Sequence, residues 1–208
     1  MTGHKRFTMG ITGASGALYA KRILEGLCAG GGEAGGGGVE IYLVISTYGR
    51  RLLHDELGIE AGGALDVTAL GGRPDCVTLL PYKDVGASIA SGSFKTDGMV
   101  VVPCSNNKLA EIAHGLGDNL ISRAANVCLK ERRKLVLVHR EMPLGLIEIN
   151  NMKAATEAGA IVCPANPGFY HLPTSVEEVV DTVAARVLDL LGVEHDLGKR
   201  WGIPSEKA

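Results

Sequence analysis

The chain has 208 residues, 23 acidic and 21 basic side chains, and a formal charge of −2. A single domain of this length buries roughly 70% of its unfolded surface, and so small a net charge leaves no footprint for nucleic acid or an acidic membrane. The five cysteines, Cys28, Cys76, Cys104, Cys128 and Cys163, are scattered and form no CxxC pair. Such a set argues against a disulfide framework or a zinc site and for a reducing cytoplasm. The opening "MTGHKRFTMGITGAS" breaks into Gly, Thr and Ser before any apolar signal core forms, and no run approaches membrane-spanning length. The expectation is a cytoplasmic protein with neither a membrane nor a nucleic-acid partner.

Phe7 to Thr12 predicts a short strand running into "GASGA", and Ala17, Ala20, Ile23, Leu24 and Leu27 have helical spacing. The glycine-rich stretch Ala29 to Gly38 reads as a flexible loop, since it cannot pack a core and precedes a strand. Val39 to Ser46 is a second strand, followed by a helix through Leu57, a glycine-rich loop over 60–75 and a third short strand, "CVTLLP". Gly98 to Cys104, "GMVVVPC", is the fourth strand, and helical stretches Lys108 to His114 and Asn119 to Lys130 follow. Leu135 to Val138 is a buried strand, and after it come a helix over Glu148 to Ala158, the strand "AIVCP" and a last helix, Val176 to Leu191. Strands alternating with helices, with no repeat and no second core, predict one α/β domain. Its sheet is open and largely parallel, with helices on both faces.

Parallel sheets of this kind place ligands at the carboxyl ends of their strands. In "GITGASGALYAKRI" Ser15 and its glycines sit at a strand-to-helix turn, where backbone N–H groups and the helix dipole favour an anion. The same residues also make a tight packed turn with Ser15 as cap. The spacing is neither GxGxxG nor a Walker A motif, which weakens the case for a dinucleotide or ATP. Ser105 and Asn106 open a helix after the fourth strand and bring a second set of donors to the same edge. Cys104 reads as a buried small residue rather than a nucleophile. "ASGSF", Ala90 to Phe94, reads either as a polar loop over that edge or as a connector. Arg140 and Glu141 follow the strand Leu135 to Val138, and the cations Lys130 to Lys134 precede it; a surface ion pair and a solvated helix end are the plain alternatives. Tyr170 reads as a core aromatic or a ligand contact, and Arg186 as a cation beside an aliphatic stripe. No histidine cluster has metal-ligand spacing, and the paired Asp clusters that hold magnesium in metal-dependent prenyl-diphosphate enzymes are missing from the sequence.

Taken together, "GITGASGA", "ASGSFKTDGMVVVPCS", "DNLISRAANVCLKERRKLVLVHREMPL", "GAIVCPANPGFYH" and "RW" near the end resemble the UbiX-type flavin prenyltransferases in order and over nearly the whole chain. The resemblance implies a flavodoxin-like, Rossmann-like sheet that binds FMN. It implies a metal-independent reaction joining a dimethylallyl group from dimethylallyl monophosphate to N5 and C6 of reduced FMN. The product, prenylated FMN, serves a UbiD-type decarboxylase. Motif by motif, it assigns flavin contacts to Ala14, Ser15, Gly16, Ser46, Ser105, Asn106, Asn107, Lys108 and Arg140. Prenyl-phosphate contacts fall to Tyr170 and Arg186, with Lys130 and Arg140. Ser15 and Glu141 become the proton-handling pair, Glu56 a carboxylate lining the site, and Trp201 a closing aromatic. A homo-oligomer, a dodecamer with sites at subunit interfaces, is implied as well.

The chain departs from the family pattern at Lys108, where relatives often carry Thr, at Asn126 in "RAAN" and at Met142 in "REM". Two other functions fit parts of the pattern. A flavin-dependent cysteine decarboxylase of the same fold requires an Asn-His motif and "PxMNxxM", where this chain has "PANPGFYH". A non-catalytic FMN carrier has no use for Glu141, Lys130 and Arg186 together.

Overall fold

In a computed structural model, residues 4–30, 38–60 and 65–198 are described. Trp201, most of the loop Ala29 to Gly38 and part of the loop over 60–75 lie outside them. Six strands, β1 (Lys5–Ile11), β2 (Val39–Ile45), β3 (Val77–Leu80), β4 (Gly98–Cys104), β5 (Lys134–His139) and β6 (Ile161–Val162), form one sheet in the order β3-β2-β1-β4-β5-β6. Every pairing is parallel. The helices are α1 (Ala17–Ala29), α2 (Thr47–Leu57), α3 (Asn106–Ala113), α4 (Leu120–Lys130), α5 (Leu146–Glu157) and α6 (Val176–Leu191).

The apolar run of β4 is buried throughout because the sheet is covered on both faces. Val100 and Val102 point into a core with Ile23, Leu24 and Leu188 from α1 and α6, while Met99 and Val101 point into a second core with Leu109, Ile121 and Ala155 from α3, α4 and α5. The predicted stripe on α1 is the buried one: Ala17, Ala20, Ile23, Leu24 and Leu27 all face the core.

Helix starts differ from the expected ones where capping decides them. The Ser105 side chain accepts from the Lys108 N–H, which makes Ser105 the cap and begins α3 two residues before Lys108. Glu148 accepts from the Gly145 N–H at 2.9 Å, so it lies inside the first turn of α5 rather than opening it. The last strand is shorter than "AIVCP". Beyond β6, Cys163 and Ala165 still donate to Leu137 and His139 at 2.9 Å, so the chain keeps company with β5 without regular pairing.

The order reverses between β1 and β4. From β1 the chain proceeds to β2 on one side, and from β4 to β5 on the other. Above the carboxyl ends of β1 and β4 lies the crevice that such a reversal opens.

Candidate functional site

Four strand ends feed that crevice. Thr12 at the end of β1 donates its hydroxyl to the Pro103 carbonyl (2.6 Å) and accepts from the Ser105 N–H (2.9 Å), locking the β1 and β4 turns together. It is 2% exposed, and nothing in the sequence marked it beyond a Thr preceding a glycine. Next to it, a Cβ on Gly13 would stand 2.4 Å from Tyr48 Cβ, so only glycine lets the first turn of α2 close over the β1 turn. Ser46 caps α2 by accepting from Gly49 N–H at 3.0 Å, as Ser105 caps α3. Two serine-capped helix amino ends therefore face one cavity of about 530 Å³, a size suited to a small molecule or cofactor.

Of the residues singled out from sequence, Ala14, Ser46, Ser105, Asn106, Asn107, Lys108, Arg140 and Glu141 line this cavity. Ser15, Gly16 and Glu56 do not line it; Ser15 and Gly16 follow Ala14 in the turn before α1, and Glu56 is bonded to that turn. Arg140 Nε donates to the Ser15 carbonyl at 3.1 Å, joining the end of β5 to that turn. The anion at the amino end of α1 is the protein's own. Glu56, from the last turn of α2, accepts from Gly16 N–H (3.0 Å) and Ala17 N–H (2.8 Å).

Lys108 is 3% exposed and turns its ammonium inward. It is held by Glu111, by Asn119 Oδ1 (2.9 Å), by Ser122 Oγ (3.0 Å) and by the Tyr82 hydroxyl (3.3 Å). Burial pushes the Glu111 carboxyl up, but hydrogen bonds from Lys108, Ser122 and Asn119 outweigh it and hold the group below the ordinary range. The lysine standing where relatives often carry Thr is thus matched by a carboxylate one turn along α3. The two form a satisfied ion pair beneath the cavity, which sequence reasoning missed. Asn126, the second departure, donates to the Leu116 carbonyl at 2.8 Å.

Glu141 is exposed at the cavity mouth and accepts from Asn106 Nδ2 at 2.7 Å. Behind Asn106 lies His139, 2% exposed, with Nε2 2.6 Å from Asn106 Oδ1. Burial lowers the His139 pKa; Glu141 and Glu148 raise it, and Arg140 lowers it further. Cys104 is wholly buried and its thiol is pushed up to about 12, the behaviour of a packed small residue.

Three assigned residues stand apart from the cavity of their own chain. Lys130 ends α4 and is exposed just before β5 begins, whereas Arg140 and Glu141 follow where β5 ends. Six residues of strand span roughly 20 Å, beyond the reach of a lysine side chain. The charges bracketing "LVLV" therefore belong to opposite edges of the sheet, and only Arg140 and Glu141 face the crevice. Tyr170 is 68% exposed in the β6–α6 loop, its ring 4.4 Å from that of His171. Arg186 is exposed on α6, near enough for its charge to act on the Cys163 thiol. The segment Ala90 to Phe94 does not cover the cavity either. Arg123 holds the Ala90 carbonyl (3.2 Å), and Arg133 holds those of Gly92 and Phe94, pinning the segment along α4.

Among the described residues no group of three His, Cys, Asp or Glu side chains is placed to hold a metal, and no helix is long and apolar enough to cross a membrane. A doubly wound sheet with a polar cavity at its reversal and no dinucleotide fingerprint defines a mononucleotide-binding α/β protein. The sequence model of the family described as Flavoprotein matches residues 1–188. Within it, the chain belongs to the UbiX flavin prenyltransferases. It is 44% identical over 197 residues to "Flavin prenyltransferase UbiX" of Methanothermobacter thermautotrophicus, covering 95% of each chain. Its structure matches a crystal structure of AnUbiX (PadA1) in complex with FMN and dimethylallyl pyrophosphate, with a TM-score of 0.85, 37% identity, and 97% and 100% of the two chains covered. It also matches a dodecameric FMN-dependent UbiX-like decarboxylase from Escherichia coli O157:H7, with a TM-score of 0.83, 41% identity, and 94% and 98% covered.

Proposed function

We propose that the protein is a flavin prenyltransferase that joins a dimethylallyl group from dimethylallyl monophosphate to N5 and C6 of reduced FMN, yielding prenylated FMN for a UbiD-type decarboxylase. The observation that carries this reading is the meeting of Arg140, Glu141 and the Ser15 turn with two serine-capped helix amino ends around one cavity. The residues present fit FMN: the capped ends of α2 and α3 offer N–H groups to an anion, and the close approach at Gly13 keeps the cradle narrow. Ala14, Ser46, Ser105, Asn106, Asn107 and Arg140 would hold the cofactor. Bound there in reduced form, FMN supplies the nucleophilic ring atoms that accept the prenyl group.

The chain's own task is to make an allylic C–O bond break. Arg140 binds the leaving phosphate and stabilises the charge that develops on it, each charged hydrogen bond being worth roughly 1.5–3 kcal/mol. Glu141, paired with Ser15 for proton handling, moves a proton to the phosphate or from the reacting ring carbon. Lys130, Tyr170 and Arg186 complete the phosphate site from neighbouring copies in a homo-oligomer. That assignment is supported by their absence from the lining of the cavity of their own chain. Exposed apolar side chains support it too, among them Met142 (86%), Ile147 (72%) and Leu172 (81%). The relative from Escherichia coli is described as dodecameric, and a dodecamer is proposed here.

Anaerobic incubation with reduced FMN and dimethylallyl monophosphate, read by mass spectrometry of the flavin, tests the reading. A flavin heavier by one dimethylallyl unit is expected. Unchanged flavin with release of CO2 from a cysteinyl peptide would replace the transferase by a decarboxylase. Unchanged flavin without turnover of either substrate would leave a carrier. A parallel incubation with the diphosphate, the form bound in the AnUbiX complex, reports the preferred leaving group.

A further inference from the structure

We propose that His139, acting through Asn106, is a positioning residue that sets both the orientation and the proton affinity of Glu141. The inference rests on the proton role given to Glu141 above and adds the residues that control it.

The hydrogen bonds allow one arrangement. The Glu141 carboxylate only accepts, so the Asn106 atom 2.7 Å away must be the amide nitrogen. Glu148 enforces the same choice, with Oε1 3.5 Å from that nitrogen. Asn106 is left presenting its oxygen to His139, and at 2.6 Å the ring must answer with Nε2–H. The His139 tautomer therefore fixes the side-chain amide, and the amide fixes the carboxylate. If the ring carried its proton on Nδ1 alone, Asn106 would turn over and point its oxygen at Glu141.

His139 can hold this position because it is 2% exposed at the end of β5, paired in register with Cys104 of β4. The charged groups bearing on the ring are Glu141 and Arg140, which follow it along the chain, and Glu148 on α5. Burial lowers the pKa of the ring and so favours its neutral form, in which Nε2–H is the donor to Asn106. A hydrogen bond donated to the ionised form of Glu141 favours that form. Removing it raises the proton affinity of the carboxylate, and the Glu141 limb of the pH–rate profile then moves to higher pH whether the group serves as acid or as base.

The test is the carboxyl carbon-13 titration of Glu141 in FMN-free protein, assigned by the loss of its signal in Glu141→Gln, together with the pH profile of kcat. His139→Leu and Asn106→Leu should each move the titration upward. Asn106→Asp should move it further, because it sets a second carboxylate beside Glu141. His139→Gln keeps an N–H donor and should restore the wild-type midpoint. Adding His139→Leu to Asn106→Leu should change little more, since both act on one interaction. In His139→Leu, which leaves the cofactor contacts of Asn106 in place, the loss should fall on kcat more than on KM.

An unchanged Glu141 midpoint in folded His139→Leu overturns the proposal. If that variant fails to fold, an unchanged midpoint in Asn106→Leu does so instead. Glu141→Gln with wild-type turnover would remove the proton role from the proposed function, while the titration would still decide the coupling to His139.

Discussion

The carboxylate of Glu56 lies 3.0 Å from the amide nitrogen of Gly16, and so the last turn of α2 caps the first turn of α1. No side chain of the α1 turn does this; Gly16 has φ 129° and offers no cap of its own. Glu56→Ala should cost about 1–2 kcal/mol in denaturant unfolding and should weaken FMN retention, because the turn that carries Ser15 loses its tie to α2. Equal stability of variant and wild type would show that water caps α1 as well as the carboxylate does.

Glu141→Gln keeps the shape and still accepts from Asn106, but it cannot carry a proton. FMN binding, followed by flavin fluorescence, should stay close to wild type while turnover falls about 100-fold or more. A wild-type rate would move the proton step to another group.

Arg140 and Arg186 should separate by what they bind. Arg140→Ala removes the bond to the Ser15 carbonyl and should harm flavin affinity and turnover together. Arg186→Ala should leave flavin affinity intact and raise KM for dimethylallyl monophosphate roughly 10- to 100-fold, the loss of one charged hydrogen bond. Turnover should survive a chelator, since these cations stabilise the leaving phosphate. A strict magnesium requirement would take that task from the arginines.

The buried thiols make stability fall at alkaline pH. Burial raises Cys104 and Cys28 to about 12 and Cys128 to about 11. A folded pKa above the unfolded one gives stability that is complete below the unfolded value, about 8.5, and is lost as pH rises through the folded value. Denaturation midpoints should therefore decline from about pH 8.5 upward. Cys104→Ala should soften the decline and leave turnover near wild type, since that thiol has no chemical task. Loss of activity on that change would return Cys104 to the list of nucleophile candidates.

The order of strands and helices was legible in the sequence because buried parallel strands are continuous apolar runs and α1 carries one clean stripe. Boundaries were less so. Whether Glu148 opens α5 or sits inside its first turn depends on a side chain reaching back to Gly145, which periodicity does not record. The cavity was half legible: Ser46, Ser105 and Arg140 follow strand ends, where the fold puts ligands. His139 and Glu111 were invisible, since a histidine ending a strand and a glutamate within a helix look ordinary until Asn106 and Lys108 are seen against them. Lys130 was the opposite case. The resemblance grouped it with Arg140 at one phosphate, and within one chain β5 carries the two apart.

That separation has a genetic consequence. Lys130 and Glu141 leave opposite ends of β5, so a catalytic unit that uses both must draw on two polypeptides. Two inactive alleles, one encoding Lys130→Ala and the other Glu141→Gln, should then complement each other in one cell, since some contacts in a mixed assembly join two intact edges. Dissociating the two purified variants and reassembling them together should recover part of the turnover that neither shows alone. The double mutant offers no intact edge and should act as a dominant poison when expressed beside the wild type, in proportion to its share of the chains.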